Sequence, residues 1–201
     1  MLKKAGLPGA KAMASEHPHG ILLPENYGGN YLGTPRVITD DGLVDLAPAA
    51  YLEGLQQKLE MLHAEEFAQR DAFKLIGKRE IKRINTASAN VPRLVKDLTN
   101  YAYINPGDAA ELGVVNGDLV GVRSAFGAIE LPARLSEEMM RRTVAIPQCW
   151  GHKDADGLAH AQKHPGVNSN YLAGDGRGNI EALSGMSHLS GIVVEIERAG
   201  A

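Results

Sequence analysis

Residues 104–135, with the sequence INPGDAAELGVVNGDLVGVRSAFGAIELPARL, contain the pattern that decides the fold. Asn105 is a good helix N-cap and Pro106 suits the first helical position, which predicts a short helix here. Gly113 suits the left-handed position that ends a helix, and Asn116-Gly117 predicts a turn into a strand. A short helix between tight turns indicates a fold built mainly from strands.

The second half of this stretch alternates between apolar and more polar residues, which is typical of a strand with one buried face. Its apolar positions are Ile129, Leu131, Ala133 and Leu135. Short strands are also predicted on both sides of it. Together the strand candidates begin near Phe73, Tyr101, Leu119, Ala128, Val144 and Ile192. Many short strands with Gly-rich turns and one small helix indicate a closed or nearly closed β-barrel.

The region before the predicted barrel falls into two parts. Residues 1–46 are rich in Gly and Pro without a sustained period, so we expect a linking or wrapping segment with a strand at residues 36–38 and a turn at residues 41–42. Residues 47–71 predict a helix that leads into the barrel domain, residues 72–201. Four leucines recur there at spacings of three and four, which places them on one helical face. They are Leu52, Leu55, Leu59 and Leu62.

The composition excludes several classes of function. The net charge of the chain is −3, so it lacks the basic field that draws proteins to nucleic acid. No apolar run is long enough to span a bilayer, which argues against a membrane partner. The N-terminal residues are too interrupted by Gly and Pro to form the apolar part of a signal peptide. The composition fits a cytoplasmic protein, although a parent protein could carry a targeting signal that is missing here.

Metal-binding patterns are not found in the sequence. The single cysteine, Cys149, excludes an internal disulfide, and also a zinc site or iron–sulfur cluster built from several local cysteines. The histidines of the second half are not at compact metal-ligand spacing. They are His152, His160, His164 and His188. We therefore predict no metal site in this chain.

The first segment that could carry chemistry is KLIGKREIKRINTASAN, residues 74–90. It combines five cations with a cluster of small hydrogen-bonding side chains, which suits a ligand with both phosphate groups and heterocycle edges. The alternative is a solvated basic strand edge that resists aggregation. The cations are Lys74, Lys78, Arg79, Lys82 and Arg83, and the polar cluster is Asn85, Thr86, Ser88 and Asn90.

The second segment is IPQCWGH, residues 146–152, where a strand ends in the only Trp of the chain. Trp150 could lie against a ring system, and Gly151 would let a ligand approach the backbone. The alternative is a core Trp at a strand end. Cys149 and His152 also raise nucleophilic catalysis, but neighbours in sequence are poor candidates for a dyad, and a free Cys is more often a small buried hydrophobe.

The third segment, residues 164–191, is a long polar stretch dense in Asn, Ser and Gly. Long loops of this kind are usually functional or disordered. Asn168 and Asn170 point the same way if the chain is extended. The GDGRG run lacks the Lys-Ser/Thr ending of a phosphate loop.

In order and spacing, these segments resemble the C-terminal molybdopterin-dinucleotide-binding domain of the DMSO-reductase superfamily of molybdopterin oxidoreductases. The resemblance lies near the formate-dehydrogenase-like and nitrate-reductase-like members and covers residues 72–197. The matching pieces are LIGKR…INTASANVPRL, INPGDAAELGVVNGDLVGVRSAFGAIELPARL, the strand end IPQCWGH, and HPGVNSNYL…LSG. Many relatives have a Pro-His-Gly-Trp-Gly-like run where this chain has IPQCWGH, so Cys149 stands at a position that is not the family's metal ligand.

The resemblance implies a mainly β fold, a six-stranded double-psi β-barrel of the aspartate-decarboxylase-like kind, with short helices and an N-terminal helical or extended appendage. It implies binding of molybdopterin guanine dinucleotide, carrying molybdenum or tungsten, with no iron–sulfur cluster in this chain. No catalytic residue and no metal ligand is assigned. The implied cofactor-binding residues are Lys78, Arg79, Asn85, Thr86, Ser88, Trp150, Gly151, His152, Asn168 and Asn170.

The resemblance also implies that the chain is part of an oxidoreductase, either a fragment or a small subunit. Its partners would be the remaining domains or a large catalytic subunit, which supply the metal ligand and the substrate site. This hypothesis needs a groove lined by residues 78–90 and 150–170. A stand-alone β-barrel interaction module without cofactor is the alternative, and it predicts that those residues are scattered or buried. A hydrolase is a third interpretation, which needs Cys149 exposed and within hydrogen-bond reach of a histidine.

Overall fold

The computed structural model describes residues 7–21, 37, 39–176, 178–181 and 184–200. The chain divides into two compact units, Met1–Glu53 and Gly54–Ala201. In the first unit, residues 10–16 form a helix that the sequence did not predict, and the predicted turn is present because Gly42 N donates to Thr39 O at 3.0 Å. The strand predicted at residues 36–38 lies outside the described residues.

Helices and strands alternate through the described chain. The helices are α1 (Ala10–Glu16), α2 (Ala49–Leu52), α3 (Leu55–Ala68), α4 (Pro106–Glu111) and α5 (Ala159–Lys163), and a 3₁₀ helix spans Ser169–Leu172. The strands are β1 (Phe73–Lys78), β2 (Ala102–Ile104), β3 (Leu119–Arg123), β4 (Ala128–Leu135), β5 (Thr143–Pro147) and β6 (Ile192–Arg198). In the described part of the chain, no helix has the length and apolar character needed to cross a membrane.

The six strands close into one barrel in the order β1-β5-β2-β4-β3-β6. The pairs β1–β5 and β2–β4 are parallel and the other four pairs are antiparallel. The first three strands and the last three follow the same pattern: β5 lies between β1 and β2, and β2 lies between β4 and β5. These two interlocked crossings are the psi motifs, so the predicted six-stranded double-psi barrel is confirmed.

The barrel interior is filled by the alternating apolar residues of its strands. In β4, Ile129, Leu131 and Ala133 are buried as predicted, whereas Leu135 at the strand end is only partly buried. Side chains of Ile104 and Ile146 from the neighbouring strands are fully buried beside them. Burial of these apolar side chains is the main favourable term that holds the barrel closed.

The connection from β2 to β3 follows the predicted pattern. The Asn105 side chain accepts a hydrogen bond from Gly107 N at 2.8 Å and caps α4, with Pro106 at its first position. Gly113 has φ of +65° after the helix, in the left-handed region that favours glycine. Gly117, with φ of +93°, turns the chain into β3. Sequence signals for caps and turns therefore position this connection correctly.

The helix predicted over residues 47–71 is two helices rather than one. Glu53 is extended and Gly54 has φ of +67°, so the helical hydrogen bonds stop after α2 and begin again at α3. The four leucines predicted to share a buried face are all exposed in this structure: Leu52, Leu55, Leu59 and Leu62. Glycine adopts the left-handed conformation at little cost, which explains the break.

The loops differ greatly in length between the two ends of the barrel. The carboxyl ends of β1 and β5 lie at the same end, because these strands are parallel. Residues 79–101 and 148–191 leave the barrel there and return to it, and we call this the long-loop end. The short-loop end carries residues 105–118 and 136–142. All of the predicted cofactor-binding residues lie at the end of β1 or follow β1 or β5, and so belong to the long-loop end.

A buried carboxylate closes the short-loop end. Asp108, with a fully buried side chain, accepts hydrogen bonds from Arg141 Nε at 2.6 Å and from Arg142 N at 2.7 Å. It also lies in the first turn of α4. The exposed Glu111 pairs with the same two arginines. Asp108 therefore ties α4 to the start of β5, and Glu111 adds only an exposed ion pair.

We predict that Asp108→Ala lowers the free energy of unfolding by about 2–3 kcal/mol, because a buried backbone N–H and a guanidinium lose a charged acceptor. Glu111→Ala is the matched control and should cost less than about 1 kcal/mol, since exposed ion pairs contribute little. Urea unfolding of the two variants measures the difference. Equal losses for both variants would contradict the role given to Asp108.

Candidate functional site

A cleft at the long-loop end lies between the first residues after β1 and residues 94–97. Its volume is about 360 Å³. Five cations and two carboxylates line it, an excess of three positive charges in a chain whose net charge is −3. An anionic group is therefore attracted to this cleft. The lining residues are Lys78, Arg79, Glu80, Ile81, Lys82, Arg83, Leu94, Val95, Lys96, Asp97 and Trp150.

The guanidinium of Arg83 joins the loop after β1 to the loop after β5. It lies 3.5 Å from the centroid of the Trp150 ring, and its Nη1 donates to Cys149 O at 2.9 Å. Glu80 completes the cluster, because its carboxylate pairs with Arg83 Nε at 3.2 Å and accepts from Trp150 Nε1 at 3.0 Å. Burial lowers the pKa of Arg83 from its ordinary value, and the Glu80 charge opposes that shift. The cluster holds Trp150 in one orientation at the wall of the cleft.

The backbone bends sharply where β5 delivers Trp150. Cys149 has φ of +73°, a left-handed conformation that is strained for a residue with a side chain. Its thiol is not activated as a nucleophile, because burial raises the pKa of Cys149 and the charges of Arg79 and Arg83 only partly oppose that change. The His152 ring lies 3.0 Å from the carbonyl oxygen of Cys149. This geometry does not provide the thiol–imidazole contact that the hydrolase interpretation needs.

Two glycines allow the third polar segment to pack on the second. Gly151 N and His152 N both donate to Pro165 O, at 2.7 and 3.0 Å. A Cβ on Gly151 would lie 2.5 Å from Asn168 Cβ, and a Cβ on Gly166 would overlap the Trp150 ring. Only glycine permits these approaches. The structure therefore brings residues 150–152 and 165–168 together, as the groove hypothesis requires.

The polar turn after β1 lies beside the cleft rather than on its lining. Asn85 has φ of +49°, and its side chain accepts from Arg79 Nη1 at 3.0 Å. Thr86 O accepts from Ala89 N at 3.0 Å within a series of tight turns. Ser88 is buried. Among the predicted residues, Lys78, Arg79 and Trp150 line the cleft itself.

The last two predicted residues do not lie in an extended chain. Residues 169–172 form a 3₁₀ helix, and the Asn168 side chain caps it by accepting from Asn170 N at 3.0 Å. Asn170 lines a separate, much smaller cavity that also includes Gly77 and Gln148. The expectation that both amides point the same way from an extended strand is therefore wrong, because the cap forms a local turn.

One buried residue that the sequence did not single out joins the three segments. Asn100, only 1% exposed, donates to Pro147 O at 3.1 Å and to Val167 O at 3.0 Å. Its Oδ1 accepts from Val167 N at 2.8 Å. No spacing rule distinguishes this amide from a surface residue before a strand. It fixes the end of β5 against the loop that carries Asn168.

Residues of α5 hold the far wall of the cleft in a similar way. Asn90 Oδ1 accepts from His160 N and Ala161 N, which caps α5. The His160 ring contacts Val95 O at 2.9 Å, and the His164 ring contacts Asp97 O at 2.8 Å. The histidines thus serve to position residues 95–97. Among the residues that the structure describes, no group of three or more potential ligands could hold a metal ion.

Comparison with known proteins agrees with this architecture. Residues 73–182 match the family described as the molydopterin dinucleotide binding domain. The chain belongs to this family, and the resemblance to the C-terminal domain of the DMSO-reductase superfamily is confirmed.

Two curated relatives are much longer proteins. The chain is 31% identical over 134 residues to the alpha chain of the F420-dependent formate dehydrogenase of Methanocaldococcus jannaschii, which covers 64% of this chain and 18% of the relative. It is 36% identical over 52 residues to a component of the tetrathionate reductase of Archaeoglobus fulgidus, which covers 26% of this chain and 5% of the relative. The matched part therefore spans less than a fifth of the length of either relative.

A solved structure shares the fold. Acetylene hydratase from Pelobacter acetylenicus superposes with a TM-score of 0.50 at 19% sequence identity, over 68% of this chain and 20% of that protein. At this identity the similarity concerns the fold alone.

We predict that Gly166→Ala displaces Trp150, because the new methyl group overlaps the indole ring. Gly176→Ala is the matched control: Gly176 also has positive φ, but its Cβ would meet nothing within 4 Å. Both variants lose about 1 kcal/mol from the left-handed backbone, and Gly166→Ala loses roughly 1–3 kcal/mol more from overpacking. Thermal unfolding and the emission spectrum of the single Trp measure this. If the two variants behave alike, the packing of residue 166 on Trp150 is wrong.

Proposed function

We propose that this chain binds the guanine-dinucleotide form of molybdopterin as the C-terminal part, fragment or small subunit, of a molybdenum- or tungsten-dependent oxidoreductase. The observation that carries the proposal is the convergence of the loops after β1 and β5 on one cationic cleft, in a chain of the dinucleotide-binding family. The formate dehydrogenase and tetrathionate reductase relatives named above support the oxidoreductase assignment.

The residues present fit such a ligand in charge and shape. A dinucleotide carries a pyrophosphate, which the excess of cations in the cleft can offset. The sites of closest backbone approach, at Gly151 and Gly166, keep the loops after β5 compact around Trp150. Arg83 Nη2 is buried and has no hydrogen-bond partner among the described residues, so an acceptor is needed there. These features belong to the chain itself.

The roles of the site residues follow from their positions. Lys78 and Arg79 would balance phosphate charge at the mouth of the cleft, and Trp150 would present an indole face or edge to a ring. Gly151 and His152 would frame the backbone next to the ligand. The remaining amide and hydroxyl groups would supply directional hydrogen bonds to guanine and pterin edges. They are Asn85, Thr86, Ser88, Asn168 and Asn170.

When bound, the cofactor supplies the redox chemistry of its metal, and the protein supplies binding, orientation and electrostatic tuning. This chain's residues bind and orient, and we assign none of them a catalytic role. We place the metal ligand, the substrate site and any electron-transfer partner in the remaining domains or a large catalytic subunit.

The stand-alone interaction module remains the second candidate. It would explain the exposed apolar side chains at the long-loop end, among them Ile81, Ile84 and Leu98. It predicts that the polar residues following β1 and β5 are scattered, whereas residues 150–152 and 165–168 are in direct contact and Trp150 joins the cleft. The contacts therefore favour the cofactor-binding proposal.

We predict that the double variant Asn85→Ala/Asn168→Ala reduces the cofactor content of the protein co-expressed with its large partner. Losing a buried hydrogen-bond partner of the ligand costs about 1–3 kcal/mol, or roughly ten- to hundredfold in affinity. The measurement is the guanine nucleotide released on denaturation, per mole of protein.

The double variant Asn116→Ala/Asn179→Ala is a matched control that removes two amides outside the proposed set, and it should keep full occupancy. Full occupancy in the Asn85/Asn168 variant would show that the site is misplaced. A wild-type complex that releases no nucleotide would overturn the binding proposal in favour of the interaction module.

A further inference from the structure

Arg83 contains a hydrogen-bond donor that the described protein atoms leave unmet. Its side chain is 4% exposed, and Nε and Nη1 already serve Glu80 and Cys149 O. Nη2 is buried without a hydrogen-bond partner among the described residues. A buried charged donor without an acceptor is costly, and native proteins rarely leave one unsatisfied.

The same guanidinium forms part of the lining of the cationic cleft. Lys82 and Lys96 line that cleft as well, and both side chains are exposed and free to adjust to a ligand. The only carboxylates on the lining are Glu80, which is shared with Trp150 Nε1, and Asp97. The unmet donor and the excess of positive charge are independent features, and both call for an acceptor that carries negative charge.

We propose that this cleft is an oxyanion subsite, in which a phosphate oxygen of a bound ligand accepts a hydrogen bond from Arg83 Nη2 and the neighbouring lysines balance the remaining charge. A phosphate has several acceptor oxygens and fits the planar fork of a guanidinium. A neutral heterocycle would leave the lysine charges unbalanced, and a cation would be repelled. The inference rests on the proposed function to the extent that the dinucleotide's pyrophosphate is the natural source of such an oxyanion.

The geometry of the cluster also provides the readout. Trp150 is the only Trp of the chain, and the Arg83 guanidinium lies 3.5 Å from its ring centroid. An oxyanion that binds Nη2 changes the field at the indole and therefore the emission of Trp150. A ligand held only by distant surface cations leaves that emission unchanged.

The experiment titrates the 201-residue chain with inorganic pyrophosphate at low, fixed ionic strength and follows Trp150 emission. Arg83→Lys keeps the positive charge but removes the guanidinium fork, and should weaken binding roughly ten- to hundredfold. Lys153→Met removes an exposed cation of the loop after β5, outside the cleft, and should leave binding unchanged. Urea midpoints confirm that each variant is folded, and Arg83→Met provides a second test of the charge itself.

A saturable emission change that depends on Arg83 and not on Lys153 supports the subsite. No saturable change in folded wild type, equal affinity in Arg83→Lys, or an equal loss in Lys153→Met overturns it. Titration with GDP separates the sources of the oxyanion: tighter binding of GDP than of pyrophosphate assigns the site to a nucleotide, and equal affinity assigns it to free phosphate. Pyrophosphate binding without nucleotide in the purified complex would leave the subsite standing while the proposed function fails.

Discussion

The parallel pairing of β1 with β5 is the constraint on which the rest of the structure depends. Lys78 pairs in register with Pro147, so both strands end at the same rim of the barrel. The chain segments that follow them must then share one small space, although they are far apart in sequence. The pseudo-symmetric pair β2–β4 is also parallel, but its loops at the opposite end are short. The difference in loop length gives a symmetric barrel a single functional end.

Within that space, charge and aromatic contact decide the arrangement. Arg83 is drawn out of water by stacking on Trp150, and Glu80 and the Cys149 carbonyl oxygen compensate part of the cost. Asn100 fixes the end of β5 against the loop at Val167 from the other side. A rigid wall of this kind suits the binding of a large cofactor, because less ordering is required when the ligand binds.

Local patterns in the sequence predicted the strands, the cap at Asn105 and the turn glycines, since each depends on residues close in the chain. The predicted cofactor-binding residues were placed at one end of the barrel for the same reason: each lies at the end of a predicted strand or follows one. Arg83 and Asn100 could not be assigned roles in advance, because their partners are distant in sequence. The break at Gly54 was missed because the leucine spacing masked a glycine that ends the helical hydrogen bonding.

Hydrogen exchange of the oxidoreductase complex with and without its cofactor tests the central claim most directly, and the barrel supplies its own control. We expect the cofactor to slow exchange in residues 79–90 and 150–170, where backbone amides border the cleft. Residues 105–118 and 136–142, at the short-loop end, should exchange at the same rate in both states. Protection confined to the short-loop end, or equal at both ends, would contradict the account.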